Sequence, residues 1–234
     1  MEEKLKHISQ KINSIISPKK AENITLIAVS KSVGISLIKK AYELGIRNFG
    51  ESKAQELREK AKILSCPDIK WHFIGTLQKN KVKYVVPVAE LIHSVDSYEL
   101  LIEINKEAIK YNKIQNCLLE FKTSDEETKS GIETKDEILE ILANSKQLTN
   151  INIIGLMTIS PFVDDTNIVR NSFQQLYNLR KELNSLGYNL PYLSMGMSGD
   201  YEIAIEEGAN FIRIGTYIFG ERDYSKSWRE IINE

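Results

Sequence analysis

The stretch Ile24-Thr25-Leu26-Ile27-Ala28-Val29-Ser30 runs directly into Lys31. It consists of apolar and β-branched residues with little polar alternation, a pattern that predicts a strand covered on both faces, as in a parallel sheet. Lys31 therefore stands where a buried strand meets solvent. A lone lysine at a strand end is most often a surface residue that keeps the end soluble, so Lys31 by itself does not indicate a site.

The rest of the chain alternates strand patterns with helical patterns. Strands are predicted at 24–30, 48–49, 71–74, 91–94, 116–121, 152–156, 192–193 and 211–214, and helices at about 2–16, 36–44, 52–63, 97–111, 135–143, 169–186 and 199–207. Glycines at 45, 187 and 208 are expected to cap helix ends. This order favours the α/β class, as a single parallel (β/α)8 barrel of the TIM type. The opening helix is an extra element, expected to pack outside or below the barrel.

Length and composition are those of one domain spanning residues 1–234. The chain is 42% apolar and 27% charged, and its net charge of −1 provides no basic field for nucleic acid. Cys66 and Cys117 have no CxxC spacing, which suits a reducing compartment and argues against a disulfide or zinc site. The N-terminus is too charged for a signal peptide, and no apolar run approaches the ~20 residues of a membrane span. A cytoplasmic location is expected.

Two segments near the end of the chain have the composition of anion-binding loops. Ser194-Met195-Gly196-Met197-Ser198-Gly199-Asp200 follows the seventh predicted strand, and Arg213-Ile214-Gly215-Thr216 spans the end of the eighth. Small residues expose backbone N–H groups, and Ser198 or Asp200 can N-cap the next helix, where the helix dipole favours a phosphate. Gly215 permits close backbone approach, and Thr216 adds a hydroxyl. Ordinary strand-to-helix turns would use the same residue types.

Closure of the barrel would make the eighth strand the neighbour of the first, which places Lys31 and both loops on one rim. Barrel enzymes frequently bind phosphate after strands seven and eight. A lysine amine beside such an anchor suits a Schiff base with an aldehyde or ketone. Pyridoxal 5′-phosphate (PLP) and the sugar phosphate of an aldolase both carry these groups, so the residues alone leave both ligands open.

Arg213 lies inside an otherwise apolar strand and needs a polar partner. That partner could be a carboxylate such as Glu51 or Asp96. Alternatively, Arg213 could face a pyridine nitrogen, which would keep that nitrogen unprotonated and weaken PLP as an electron sink.

Several further polar and sulfur side chains are compatible with a site or with simple packing. His72 at a strand end could contact a ligand, or could be a hydrogen-bonded residue of the barrel. His7 and His93 are too scattered to join it in a metal site. Met157, Met195 and Met197 are expected to line the pocket or pack beneath it.

Seven blocks follow one another along nearly the whole chain. They are Ala28-Val29-Ser30-Lys31, Phe49-Gly50-Glu51, 71–81 beginning Trp71-His72-Phe73-Ile74-Gly75, His93-Ser94-Val95-Asp96, Gly155-Leu156-Met157, 194–198 and 213–216. Together they closely resemble the pyridoxal phosphate homeostasis protein family. The resemblance implies a PLP fold-type III barrel like the N-terminal domain of alanine racemase, without the racemase's second β domain.

The resemblance also implies roles for individual residues. Lys31 would be the Schiff-base lysine, and Arg213 would face the pyridine nitrogen. The remaining cofactor-binding positions would be Ser198, Gly215 and Thr216 at the phosphate, with Met197, Gly75 and Ser52 nearby. Ser52 stands where the family usually has asparagine, which replaces an amide near the cofactor ring by a hydroxyl. Ser32-Val33-Gly34 departs from the commoner Thr-Lys pattern and removes a basic residue.

By the same resemblance, the chain would bind, buffer and deliver PLP without catalysis. It ends at Glu234 with no room for a second domain, so the opposite acid/base of a two-base racemase has no expected source. A PLP-dependent amino-acid racemase or lyase is the alternative, and a Schiff-base aldolase without cofactor is a third possibility.

Expected partners are PLP and PLP-dependent apoenzymes or vitamin B6 enzymes, and a self-sufficient barrel favours a monomer. The longest predicted loop, 123–131, follows the fifth strand and lies on the active face.

Overall fold

The computed structural model describes residues 1–15, 24–124, 130–222 and 225–232. Within these ranges eight strands form a closed barrel in sequential order. They are β1 (Thr25–Val29), β2 (Asn48–Glu51), β3 (Lys70–Phe73), β4 (Ala89–Val95), β5 (Gln115–Glu120), β6 (Ile151–Met157), β7 (Tyr192–Ser194) and β8 (Phe211–Ile214). All adjacent pairs are parallel, and β8 pairs with β1, for example Ala28 with Ile214. The predicted parallel barrel is confirmed.

Helices of the described ranges surround the strands. They are α1 (Glu2–Ile15), α2 (Ile35–Glu43), α3 (Ala54–Ile63), α4 (Val82–Val85), α5 (Tyr98–Lys110), α6 (Lys135–Ser145), α7 (Thr166–Ser185), α8 (Tyr201–Glu206), α9 (Thr216–Phe219) and α10 (Trp228–Ile231). The seven predicted helices are confirmed, although the predicted end of the first, Ile16, lies outside the described residues. The sequence missed α4, α9 and α10 because each is about one turn long and shows no helical period. No helix in the described part of the chain is long and apolar enough to cross a membrane.

The main apolar core lies between the barrel and its helices. The apolar stripe of α5 shows the pattern, since Leu100, Leu101, Ile104 and Ala108 are buried at helical spacing. Helix α1 lies outside the barrel, as predicted, where it packs against α8 and α9 and buries Leu5 and Ile8. Glycines 45, 187 and 208 have φ of 95°, 95° and 93°, which confirms their predicted place at helix ends.

A smaller apolar cluster fills part of the barrel interior, with Leu91, Leu118 and Met157 at its centre. The interior also holds a line of buried polar side chains, namely His72, His93, Ser194 and Arg213. Burying such groups is unfavourable unless their hydrogen bonds are satisfied. The barrel interior is therefore both packing core and polar framework.

Candidate functional site

The carboxyl ends of β1, β7 and β8 meet on one side of a single rim. Lys31 follows β1, and Gly215 and Thr216 follow the adjacent strand β8. A Cβ on Gly215 would lie 3.2 Å from the carbonyl oxygen of Val29, the last residue of β1. The lysine-bearing loop and the Gly215 loop are thus neighbours, as the predicted strand order required.

The two predicted anion-binding loops touch each other at Ser198. Its Oγ accepts hydrogen bonds from the backbone N–H of Gly215 at 3.4 Å and from Oγ1 of Thr216 at 3.3 Å. One amide and two hydroxyls therefore converge on one point of the rim. These are the neutral donors with which proteins commonly bind phosphate oxygens.

The loop after β7 is organised by Asp200 in a different way from the sequence prediction. We expected Ser198 or Asp200 to cap α8 through its side chain, but no side-chain cap bond is present at that helix. The carboxylate of Asp200 instead accepts from the Met197 N–H and from Ser160 Oγ, each at 2.5 Å. That expectation was wrong because the carboxylate is used to tie the β7 loop to the β6 loop.

Arg222 belongs to the site although the sequence analysis did not select it. Its Nε donates to the carbonyl oxygen of Lys31 at 3.0 Å. Its Nη2 lies 2.5 Å from the position that a Cβ on Gly215 would take. A guanidinium therefore stands between the lysine loop and the Gly215 loop. The only sequence signal was an arginine six residues after Thr216.

The backbone on both sides of Lys31 is held by a buried group of charges. We refer to Glu51, Glu56 and Lys60 as the carboxylate–lysine cluster. Lys60 Nζ donates to the Ser30 carbonyl at 2.6 Å, to Glu51 Oε1 at 2.9 Å and to Glu56 Oε1 at 2.7 Å. Glu56 Oε1 also accepts from the Ser32 N–H at 2.7 Å.

This cluster fixes the turn that presents Lys31. Ser32 has φ of 53°, in the left-handed region that few non-glycine residues adopt, and its N–H bond to Glu56 supports that conformation. Ser30 Oγ donates to Glu51 Oε1 at 2.6 Å. Burial raises the pKa of Glu51 to about 7, against the opposing effect of Lys60. Glu51 thus supports the lysine turn and does not pair with Arg213.

Arg213 is buried, with 5% of its surface exposed, and its partners are neutral. Nη1 donates to Ser194 Oγ at 2.6 Å, and Nη2 donates to the Thr158 carbonyl at 2.9 Å. The suggested pairing with Glu51 or Asp96 does not occur among the hydrogen bonds of the described residues. Burial lowers the pKa of Arg213 to about 10, so the guanidinium is cationic at neutral pH.

His72 and His93 are joined inside the barrel. His72 Nδ1 lies 2.9 Å from His93 Nε2, His72 Nε2 lies 3.0 Å from Asn48 Oδ1, and His93 Nδ1 lies 2.8 Å from Ser194 Oγ. Our expectation that His93 lies apart from His72 was wrong, because they project inward from the neighbouring strands β3 and β4. Burial lowers the pKa of His72 to about 3 and that of His93 well below its usual value, so both rings are neutral.

The other predicted site residues occupy the rim to different depths. A Cβ on Gly75 would lie 2.3 Å from the Ser52 carbonyl oxygen, so these two residues are in contact across the loops after β3 and β2. Met197 is 38% exposed, whereas Met157 and Met195 are buried. Met197 is therefore a surface residue of the rim, whereas Met157 packs in the smaller cluster inside the barrel and Met195 packs in the main core.

A polar pocket of about 190 Å³ opens on the carboxyl-end side of β5 and β6. Its lining includes Thr76, Glu120, Thr123, Ser130 and Thr158. Burial, followed by the nearby charge of Asp96, raises the pKa of Glu120 to about 7. Thr123 and Ser130 come from the predicted long loop 123–131, of which residues 125–129 lie outside the described ranges. The sequence analysis did not predict this pocket.

Sequence comparisons relate the chain to two sets of proteins. The family model described as alanine racemase, N-terminal domain, matches residues 3–223. A pyridoxal phosphate homeostasis protein of Aquifex aeolicus is 45% identical over 201 residues, covering 85% of this chain and 87% of the relative. The human protein of the same name is 42% identical over 214 residues, covering 86% of this chain and 78% of the relative.

Solved structures give the same picture of the fold. PipY of Synechococcus elongatus with PLP bound has 32% identity and a TM-score of 0.80, over 91% of this chain and 100% of PipY. An alanine racemase of Clostridium difficile has 14% identity and a TM-score of 0.75 over 98% of this chain and 60% of the racemase, and at that identity it supports the barrel fold alone.

Proposed function

Because this chain belongs to the alanine racemase N-terminal domain family and to the pyridoxal phosphate homeostasis proteins, we propose that it binds PLP and takes part in PLP homeostasis. The main support for the proposal is that Ser198, Gly215 and Thr216 are hydrogen-bonded together on the rim, beside the turn that contains Lys31. PLP has a phosphate that Ser198, Gly215 and Thr216 would bind, and an aldehyde that would react with Lys31.

The donor chemistry of the rim fits a phosphate monoester. Ser198 and Thr216 supply hydroxyls, Gly215 supplies a backbone N–H, and Arg222 places a guanidinium against the Gly215 backbone. A Cβ at position 215 would lie 2.5 Å from Arg222 Nη2, so a side chain there would displace this guanidinium from the Gly215 backbone. Neutral donors together with one guanidinium recognise a phosphate without requiring an extended basic surface.

Lys31 is the residue that we assign to covalent attachment. PLP supplies an aldehyde that condenses with a lysine amine to form a Schiff base, with loss of water. The carboxylate–lysine cluster fixes the residues before and after Lys31, which limits the directions in which its side chain can extend. We also assign Ser52 and Gly75, which are in contact across the loops after β2 and β3, and Met197, which is exposed on the loop after β7, to the surroundings of the bound cofactor.

Arg213 is the residue that we assign to the pyridine nitrogen. Its cationic guanidinium is a donor only and cannot accept a proton from a ring N–H. A ring nitrogen facing Arg213 is therefore held unprotonated, and the bound cofactor is a weak electron sink. This effect disfavours carbanion chemistry at the bound cofactor and supports a role in carrying PLP.

We further propose that the protein acts in the cytoplasm as a monomeric carrier that passes PLP to apoenzymes. Cys66 and Cys117 are free thiols, which suits a reducing compartment. Closure of the barrel leaves no open sheet edge to which a second chain could add a strand.

One observation favours the second candidate, an amino-acid racemase or lyase. Glu120 is a buried carboxyl in the rim pocket, and its pKa of about 7 suits a general base at neutral pH. If the protein is an enzyme of this kind, the loaded wild type will turn over an amino acid and Glu120→Gln will abolish that turnover. The carrier proposal predicts no turnover above free PLP in either protein.

The decisive test is the absorbance spectrum of purified protein incubated with PLP, before and after borohydride reduction, followed by peptide mass mapping. We expect a yellow band that reduction removes and a pyridoxyl phosphate mass on the Lys31 peptide. Lys31→Ala should lose both signals. Lys53→Ala is the matched control, because Lys53 is an exposed lysine that follows β2 at the same end of the barrel and should leave both unchanged.

Two results would contradict this assignment. An unchanged band and adduct in Lys31→Ala would exclude Lys31 as the attachment residue. A colourless wild type that takes up no PLP, yet forms a borohydride-trapped adduct with a sugar phosphate, would favour the aldolase possibility.

A further inference from the structure

A chain of hydrogen bonds crosses the barrel interior and ends on Arg213. It runs from Asn48 on β2 through His72 on β3 and His93 on β4, and then to Ser194 on β7 and Arg213 on β8. We name these five residues the interior relay. The contact between His93 and Ser194, at 2.8 Å, crosses the barrel interior between β4 and β7, which are three strands apart.

Chemistry sets the direction of every bond in the interior relay. A guanidinium only donates, so Ser194 Oγ accepts from Arg213. The hydroxyl proton of Ser194 then needs an acceptor, and within the described residues the other hydrogen-bond partner of this oxygen is His93 Nδ1. His93 must therefore carry its proton on Nε2 and donate to His72 Nδ1. His72 in turn donates from Nε2 to Asn48 Oδ1.

The aligned bonds provide an electrostatic support for the buried cation. Each group turns its acceptor toward Arg213, so the negative ends of successive dipoles face the guanidinium and reinforce one another. Ser194 and the Thr158 carbonyl thereby stabilise a buried arginine to which, among the described residues, no carboxylate is directly hydrogen-bonded. The rings are held by Phe211, whose ring centroid lies 5.9 Å from that of His72 and 5.6 Å from that of His93.

The charged groups around the interior relay lie at its two ends. Asp200 and Glu120 act on Arg213 and favour its charged form. At the other end, Lys70 disfavours protonation of His72, and Glu90 lines the same cavity of about 410 Å³ as Asn48 and His72. The two histidines between these ends are neutral, so the four relay residues behind Arg213 carry dipoles and no net charge.

We propose that the interior relay is a positioning device that keeps Arg213 cationic and aimed at the ring nitrogen of the bound cofactor. This inference rests on the proposed function. It assigns His72, His93, Ser194 and Asn48 a role in tuning the cofactor, although they lie behind Arg213 in the barrel. Breaking the relay should let the guanidinium shift and the ring nitrogen take up a proton.

The first test reads the interior relay in cofactor-free protein. Long-range ¹H–¹⁵N NMR of the imidazoles distinguishes the two neutral tautomers and the protonated ring. We expect His72 and His93 to be Nε2–H tautomers that are still neutral at pH 6, below the ordinary histidine pKa of 6.5, because their protonated forms are disfavoured by burial. A proton on Nδ1 of either ring, or protonation of either ring at pH 6, would overturn the assigned direction.

The second test uses the PLP-loaded protein and measures absorbance of the cofactor as a function of pH. His93→Phe and Ser194→Ala break the chain, and each should move the midpoint of the titration by about one pH unit or more. His93→Asn keeps an acceptor near the position of Nδ1 and should restore most of the wild-type profile. Ser172→Ala is the matched control, since Ser172 is a buried serine on α7 whose hydroxyl bonds to Thr123.

The outcomes separate this inference from the proposed function. Identical profiles for wild type, His93→Phe and Ser194→Ala, with melting temperatures showing that all are folded, would overturn the positioning role while PLP binding stands. If His93→Phe fails to fold, the pH profiles of Ser194→Ala and His93→Asn still test the positioning role. A wild type that binds no PLP would overturn the proposed function and, with it, the role of the interior relay toward the cofactor ring. The tautomers of His72 and His93 would still test the direction of the hydrogen bonds in the relay.

Discussion

At the scale of single residues, Ser198 joins two loops that come from different strands. Its oxygen accepts from Gly215 and Thr216, so the three donors of the rim are already gathered in the protein alone. Donors that are positioned before a ligand arrives need little reordering on binding. The phosphate of PLP would then replace these two internal hydrogen bonds by stronger, charge-assisted bonds.

Ser198→Ala and Thr216→Val should weaken PLP binding by about tenfold each, since each removes one hydrogen bond worth about 1–3 kcal/mol to a charged ligand. Isothermal titration with PLP measures the loss. Pyridoxal, which lacks the phosphate, is the matched ligand, and its affinity should be the same in wild type and both variants. An equal loss of affinity for pyridoxal would show that these hydroxyls support the pocket in general and do not contact the phosphate.

At the scale of elements, the contact between β6 and β7 depends on a missing side chain. A Cβ on Gly155 would lie 1.9 Å from the carbonyl oxygen of Tyr192, its register partner on β7. Strand β7 is three residues long and leads directly into the loop that carries Ser198. The absence of a side chain at 155 therefore sets the position of the loop that carries Ser198 as well as the closure of the sheet.

Gly155→Ala should lower the free energy of unfolding by about 1–3 kcal/mol, because the strands must separate to admit the methyl group. Urea unfolding measures the change. Gly199→Ala is the stability control, since a Cβ there would meet nothing within 4 Å. Equal stabilities of the two variants would mean that β7 shifts at no measurable energetic cost.

The elements were predictable to different degrees for physical reasons. Strand β1 and helix α5 have apolar patterns that follow from burial, and the sequence located both. The chain order of the blocks also indicated that Lys31, Ser198 and Gly215 share a rim. The hydrogen-bond partners of Arg213 and the burial of Lys60 beside Glu51 were not predictable, because they depend on contacts with groups 9 to 55 positions away along the chain. Arg222 was missed for the same reason.

At the scale of the whole molecule, four buried titratable groups act on stability in opposite directions. Glu51 and Glu120 have pKa values raised from 4.5 to about 7, so their contribution to stability is present below pH 4.5 and is lost as the pH rises to 7. His72 has a pKa lowered from 6.5 to about 3, and that of His93 is also lowered. Their contribution is present above pH 6.5 and is lost as the pH falls.

Between about pH 5 and 6 the free energy of unfolding of the cofactor-free protein should depend little on pH. Folding takes up two protons at the two carboxyls and releases two at the two imidazoles, so the opposing pH dependences nearly cancel. Glu51→Gln should make stability rise with pH by about 1.4 kcal/mol per unit, and His93→Asn should make it fall by a similar amount. Urea unfolding at several pH values measures both slopes. Slopes of the same sign in the two variants would contradict the opposing assignment.

Because Lys60 is buried, the rate at which a reagent modifies its amine reports how often the structure beneath Lys31 opens. The Lys60 amine has no exposed surface and is enclosed by three acceptors, so an acylating reagent can modify it only when the cluster opens. The exposed lysines of the same chain, such as Lys53, react at once and calibrate the reagent. Mass spectrometry of the Lys60 peptide over time thus gives an opening rate for the floor of the site, and comparing that rate with and without PLP reports how far the ligand closes it.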